Sequence, residues 1–139
     1  MSFYKKILVV DEAESSRRFL RHILTNAGYT VEAVSNNGQA IERISESNFD
    51  IFFIDVSIPK LDGMKLIKKL RATEGYESTP ILVVTLAMTI TDTMIQECGA
   101  ASIYEWIAKP ISPSRVTSLL KKMDYTNANT VTMQAQSSY

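Results

Sequence analysis

Cysteine and histidine are almost missing from this chain of 139 residues, which has one of each, Cys98 and His22. A lone cysteine excludes an internal disulfide and agrees with a reducing compartment. One cysteine and one histidine do not make a zinc cluster or a Cys-His nucleophile pair. His22 stands beside Arg21 in a helical pattern and reads as a partly exposed helical residue. Net charge is missing too, because fifteen Lys and Arg balance fifteen Asp and Glu. No long-range field therefore gathers nucleic acid or anionic lipid. No apolar run nears the ~20 residues of a membrane helix, and the opening MSFYKKILVV lacks the long apolar region and cleavage site of a signal peptide. A cytoplasmic protein with no nucleic-acid partner and no membrane insertion is expected.

What is present is an ordinary globular composition, 45% hydrophobic and 22% charged, at a length suited to one core. Short β-rich apolar runs alternate with stretches of helical period, the pattern of strand-helix units around a parallel sheet. Strands are predicted at Lys6–Val10, Thr30–Val34, Ile51–Ile54, Ile81–Val84 and Ser102–Ile107. The two ILVV runs, at 7–10 and 81–84, are apolar at every position, as strands covered on both faces should be.

Phe19, Leu20, Ile23, Leu24 and Ala27 form one helical stripe ended by Gly28. Ala40, Ile41 and Ile44 mark a second helix, and Leu66, Ile67 and Leu70 a third that opens near Gly63. The fourth, Asp92–Cys98, has only Met94, Ile95 and Cys98 as apolar anchors. Val116, Leu119, Leu120 and Met123 give a fifth after the Ser112-Pro113 start signal. From Asp124 onward the chain is polar without an apolar period, so residues 124–139 are expected to form a flexible tail.

In an open parallel sheet, ligands bind beyond the carboxyl ends of the strands. Asp11 and Glu12 follow the first ILVV, Asp55 follows IFFI, Thr85 follows the second ILVV and Lys109 follows WIA. Each alone reads as a loop residue or helix cap. Together they bring three carboxylates, a hydroxyl and an ammonium to one rim, with a net charge of −2 (three negative, one positive). Two like charges ~4 Å apart cost about 4 kcal/mol at an effective dielectric near 20, so a divalent cation is called for. Oxygen ligands favour Mg²⁺, which prefers one or two carboxylates plus a phosphate. Such a site suits phosphoryl chemistry: Asp55 attacks phosphorus to form an acyl phosphate, Lys109 neutralises the transferring oxygens and Thr85 donates its hydroxyl to one of them. The Lys109-Pro110 bond is a candidate cis peptide that aims the amine. Trp106, read by itself, is a strand aromatic packed against the last helix.

The motifs LVVDE at 8–12, DVSIPKLDG at 55–63, PILVVT at 80–85 and WIAKP at 106–110 resemble the receiver domain of two-component response regulators, in the single-domain, CheY-like branch. The likeness spans residues 4–123, and the receiver unit is drawn at 1–123. The resemblance implies a doubly wound α/β fold, a five-stranded parallel sheet of order 2-1-3-4-5 with helices on both faces. It implies that Asp55 is the phosphoacceptor, that Glu12, Asp55 and the Ser57 backbone carbonyl bind Mg²⁺ directly, and that Asp11 acts mainly through water. Thr85 becomes the switch hydroxyl, Lys109 the phosphate-binding lysine and Trp106 the mobile aromatic. A histidine kinase is the implied donor. The implied target, in chemotaxis or motility, meets the face of helix four, strand five and helix five. Such a protein is a phosphoacceptor and not an enzyme.

Three departures stand out. Leu86 follows Thr85 where the family usually has a small residue, and its bulk is expected to narrow the way to Asp55. Ile58 replaces a common Met before Pro59, a mild apolar swap. Gly99 to Lys109 spans ten positions (109 − 99), about three more than the family spacing, so 100–105 is a changed loop on the partner face. Leu86 and that loop support an alternative, a receiver-like interaction module with weak or no phosphorylation. A Mg²⁺-dependent phosphohydrolase is a further alternative, although its usual second acid is replaced by Ser57.

Overall fold

The computed structural model describes residues 6–56, 62–99 and 102–137. In chain order it contains β1 (Lys6–Val10), α1 (Glu14–Asn26), β2 (Thr30–Val34), α2 (Asn37–Glu46), β3 (Ile51–Ile54), α3 (Asp62–Arg71), β4 (Ile81–Leu86), α4 (Asp92–Cys98), β5 (Glu105–Lys109) and α5 (Pro113–Ser137). All strand pairs are parallel, and the sheet runs β2-β1-β3-β4-β5. This is the predicted doubly wound fold.

The continuous apolar strands are explained by the two layers they serve. Successive side chains point to opposite faces. Leu8, Val10, Phe52, Ile54, Ile81 and Val83 therefore enter one core with side chains of α2, α3 and α4. Ile7, Val9, Ile51, Phe53, Leu82, Val84 and Ile107 enter the other with Leu20, Ile23 and Leu24 of α1 and Val116, Leu119, Leu120 and Met123 of α5. The helices thus need only one apolar stripe each, and residues beside the stripe are left out. Phe19, Ile41 and Ile95, predicted as anchors, are exposed.

Local signals place the helix ends. Gly28 has φ +98°, the left-handed conformation that ends α1, and the Tyr29 N–H donates to the Leu24 carbonyl. Asn36 caps α2 by accepting from the Gln39 N–H at 2.9 Å, while Gln39 accepts from the Ser35 N–H, reciprocal bonds that satisfy two donors. Thr91 caps α4 through the Met94 N–H at 3.1 Å.

Three expectations need correction. The last strand is Glu105–Lys109 rather than Ser102–Ile107, because pairing to β4 places Leu82 opposite Glu105 and Leu86 opposite Lys109. β4 itself runs two residues beyond Val84, to Leu86. The last helix does not stop at Met123 but continues to Ser137, where a flexible tail is expected. Its 25 residues contain no Gly and no Pro after the first position, so no strong breaker interrupts the backbone ladder.

Candidate functional site

The sheet order reverses between β1 and β3, and their carboxyl ends lie side by side at that switch point. Val10 pairs with Ile54, so Asp11 and Asp55, each one residue further on, emerge at the same level. The Asp55 N–H still donates to the Val10 carbonyl at 2.9 Å, and the Asp11 N–H donates to the Val34 carbonyl at 3.1 Å. Both acids are therefore held at their backbones by the ends of neighbouring strands. They are also buried, at 1% and 4% exposure.

Lys109 joins them. Its Nζ donates to Asp55 Oδ2 at 2.7 Å and lies 2.9 Å from Asp11 Oδ2. The other Asp11 oxygen, Oδ1, accepts from the Ala13 N–H at 2.9 Å. Desolvation raises the Asp11 pKa above its usual value, and the bonds from Lys109 and Ala13 offset this only in part. Desolvation works against the Lys109 charge, but its hydrogen bonds to Asp55 and Asp11 prevail and hold its pKa above the ordinary lysine value. The bond from Lys109 to Pro110 is cis, the isomer named as a candidate in the sequence.

Thr85 ends up next to this pair of strands, in register with Ala108 and one position before Leu86 opposite Lys109. It is fully buried, and its Oγ1 has no hydrogen-bond partner among the described residues. An unsatisfied buried hydroxyl costs about 1–3 kcal/mol, which an incoming oxygen would relieve. Glu12 is exposed and is not drawn into the contact among Asp11, Asp55 and Lys109. Ser57, named for its carbonyl, and Ile58 fall outside the described residues.

Among the described residues no three His, Cys, Asp or Glu side chains converge as a metal-binding group. Two carboxylates do converge, sharing one ammonium and leaving a net charge of −1. This donor set fits Mg²⁺, which keeps several waters and needs only one or two protein carboxylates. Asp11 and Asp55 would hold such an ion, with Glu12 at the rim.

Two residues unforeseen in the sequence shape the site. Arg17, from the first turn of α1, donates from one guanidinium nitrogen to the carbonyls of Asp11 at 2.9 Å and Glu12 at 2.8 Å. Gly63 lies so close to β3 that a Cβ there would sit 2.6 Å from the Asp55 carbonyl oxygen and 2.7 Å from Val56 Cα. The helical pattern showed which face of α1 is apolar but carried no sign of where Arg17 reaches. Gly63 was visible only as the residue near which the third helix opens.

Trp106 faces the side opposite to the one predicted. It is partly buried and packs with Ile103 against the core of α2, α3 and α4, not against α5. Strand alternation decides this, since Ile107 already occupies the α5 side. The Trp106 carbonyl accepts from Arg115 of α5 at 3.3 Å. Leu86 is 48% exposed, and Met88, Ile95 and Tyr104 are exposed as well. Beside Lys109, Ser15, Ser16, Phe19, Pro110 and Ile111 complete the lining of an open cavity of ≈ 350 Å³.

Comparison with known proteins agrees with this geometry. The chemotaxis protein CheY of Thermotoga maritima is 33% identical over 120 residues, 86% of this chain and 97% of that protein. The crystallised chemotaxis protein CheY4 of Vibrio cholerae superposes with a TM-score of 0.78 at 30% identity, covering 86% of this chain and 98% of that one. The sensory/regulatory protein RpfC of Xanthomonas campestris is 28% identical over 117 residues, and this chain spans only 16% of its length. The family model described as the response regulator receiver domain matches residues 7–121. Receiver domains are signalling phosphoacceptors that take phosphate from histidine kinases and bind Mg²⁺. Because the match runs from within β1 into α5, and so takes in the whole sheet and its switch point, the chain belongs to the response regulator receiver family.

Proposed function

We propose that Asp55 of this chain accepts a phosphoryl group from a histidine kinase in a Mg²⁺-dependent reaction, and that Thr85 and Trp106 turn the event into a change of surface. The observation that carries this reading is the Lys109 ammonium shared between Asp55 at 2.7 Å and Asp11 at 2.9 Å, together with the buried hydroxyl of Thr85 near the end of β4, unpartnered among the described residues. An Asp55 carboxylate oxygen attacks phosphorus; its O–P bond forms as the donor's P–N bond breaks, and the imidazole leaves with the electron pair and takes a proton. Mg²⁺ supplies charge neutralisation at the transferring oxygens. Lys109 moves its hydrogen bond from Asp55 to a phosphoryl oxygen, and Thr85 satisfies its hydroxyl on another.

The movement of Thr85 frees volume beside β5, into which Trp106 turns from its half-buried position. Burying roughly 100 Å² more indole contributes ~2.5 kcal/mol, and a charge-assisted bond to Thr85 about 1.5–3. A nearly complete switch needs about 5.5 kcal/mol, so partner binding completes the shift. The partner would meet the face of α4, β5 and α5, where Ile95 of α4 is exposed. The two chemotaxis relatives support a target in chemotaxis or motility. Half-exposed Leu86 favours an open path to Asp55 over the inert-module alternative.

Trp106 is the only tryptophan, so its fluorescence reports the switch. It should respond to Mg²⁺ and then to beryllofluoride or a small phosphodonor, and the second response should vanish in Asp55→Asn. Absence of phosphate on Asp55 from every donor, with the fold intact, would leave the inert module. Rapid turnover of an external phosphoester would instead show a phosphohydrolase.

A further inference from the structure

We infer that Arg17 is a positioning residue for cation binding, acting through the loop that carries both acids; this rests on the Mg²⁺-dependent reading above. A helix N-terminus ordinarily leaves N–H groups in need of acceptors. Here Ala13, the cap residue of α1, has no capping side chain, and Asp11 Oδ1 takes its N–H. The two carbonyls before it, of Asp11 and Glu12, are instead gathered by a single Arg17 nitrogen at 2.9 and 2.8 Å. The Arg17 N–H also donates to the Ala13 carbonyl at 3.0 Å. Three successive residues are thus tied to one side chain and its own backbone.

The consequence differs for the two acids. The Asp11 carboxylate is fixed from the front as well, by Ala13 and Lys109. Glu12 is exposed, and among the described residues the bond that ties it to the crevice is the one its backbone carbonyl accepts from Arg17, so Arg17 is what sets the place from which its carboxylate can reach a cation. Groups that orient metal ligands from behind typically contribute a 10- to 100-fold effect on affinity.

Charge and positioning make opposite demands. As a mere neighbouring cation, Arg17 would repel Mg²⁺, and deleting it would tighten binding. As a brace it would do the reverse. The backbone amide NMR shifts of residues 11–13, followed through a titration with MgCl₂ alone, separate the two, with thermal unfolding in metal-free buffer as the check on folding. Arg17→Met should raise the Mg²⁺ Kd about tenfold, Arg17→Lys should fall between it and the wild type, and the Arg17→Met effect should shrink when Glu12→Gln is already present. Unchanged or tighter binding by folded Arg17→Met would overturn the inference while leaving the Mg²⁺ site standing. Wild-type protein that shows no shift with Mg²⁺ would overturn both. Should Arg17→Met fail to fold, Arg17→Lys decides: wild-type affinity overturns the inference and weaker affinity supports it.

Discussion

At Asp11, burial and function pull in opposite directions. A carboxylate at 1% exposure loses most of its hydration, and Lys109 and the Ala13 N–H replace it only partly, so its pKa stays above the usual 3.8. For an acid with a raised folded pKa, the native state holds more protons than the unfolded state between the two pKa values. Stability therefore falls as pH rises through that interval. Asp11→Asn should accordingly melt higher than the wild type at pH 7, with the gain disappearing as pH drops below the ordinary carboxylate range. Thermal unfolding across pH 3–8 checks this, and a variant that melts lower at pH 7 would mean that the Lys109 pair outweighs desolvation. Residue identities at the site were legible in the sequence because strand ends are where a parallel sheet exposes chemistry. The unequal burial of adjacent Asp11 and Glu12 was not, since it depends on which carboxylate Lys109 meets.

The elements show how close fit, beyond hydrophobic pattern, holds Asp55, the proposed phosphoacceptor. α3 starts against the end of β3, and only a residue without Cβ permits that approach. Gly63→Ala would push its methyl into the Asp55 carbonyl and Val56 backbone, neither of which has a flexible end that can swing aside. A loss of about 1–3 kcal/mol is expected in urea denaturation, of the order seen for overpacked sites, together with slower phosphorylation of Asp55. Unchanged stability and rate would show that α3 shifts freely. Element existence and order were legible from periodicity, since 2-residue and 3.6-residue patterns have different causes. β5 was misplaced because apolar content alone marked Ser102–Ile107, while hydrogen-bond register with β4 selects Glu105–Lys109. The side of Trp106 was missed for the same reason: each register fixes which residues face each layer.

Over the whole molecule, the sheet separates two cores, and α5 serves one of them through its first three turns. Val116, Leu119, Leu120 and Met123 are buried in that core, and a chain cut after Asp124 retains all four. Asp124 itself accepts from the Tyr29 hydroxyl at 3.1 Å, and Tyr125 is 69% exposed. A chain ending after Asp124 should therefore keep its fold, with a loss within about 1 kcal/mol and a Tm shift of roughly 4 °C or less. A fall of about 10 °C or more in calorimetry would show that the later turns of α5 support the domain. Among the described residues no helix is long and apolar enough to cross a membrane.

The strand-helix alternation, the 2-1-3-4-5 sheet implied by the family motifs, and the residues offered at the strand ends could all be read from the order of amino acids, because these depend on local patterning and chain order. Only the packing of distant elements shows that Lys109 meets Asp11 and Asp55 while Glu12 stays outside, that Arg17 folds back onto the acid loop, and that Trp106 faces the core of α2, α3 and α4. Those outcomes turn on strand register and on distances of a few ångströms between residues far apart in the chain, which no local pattern encodes.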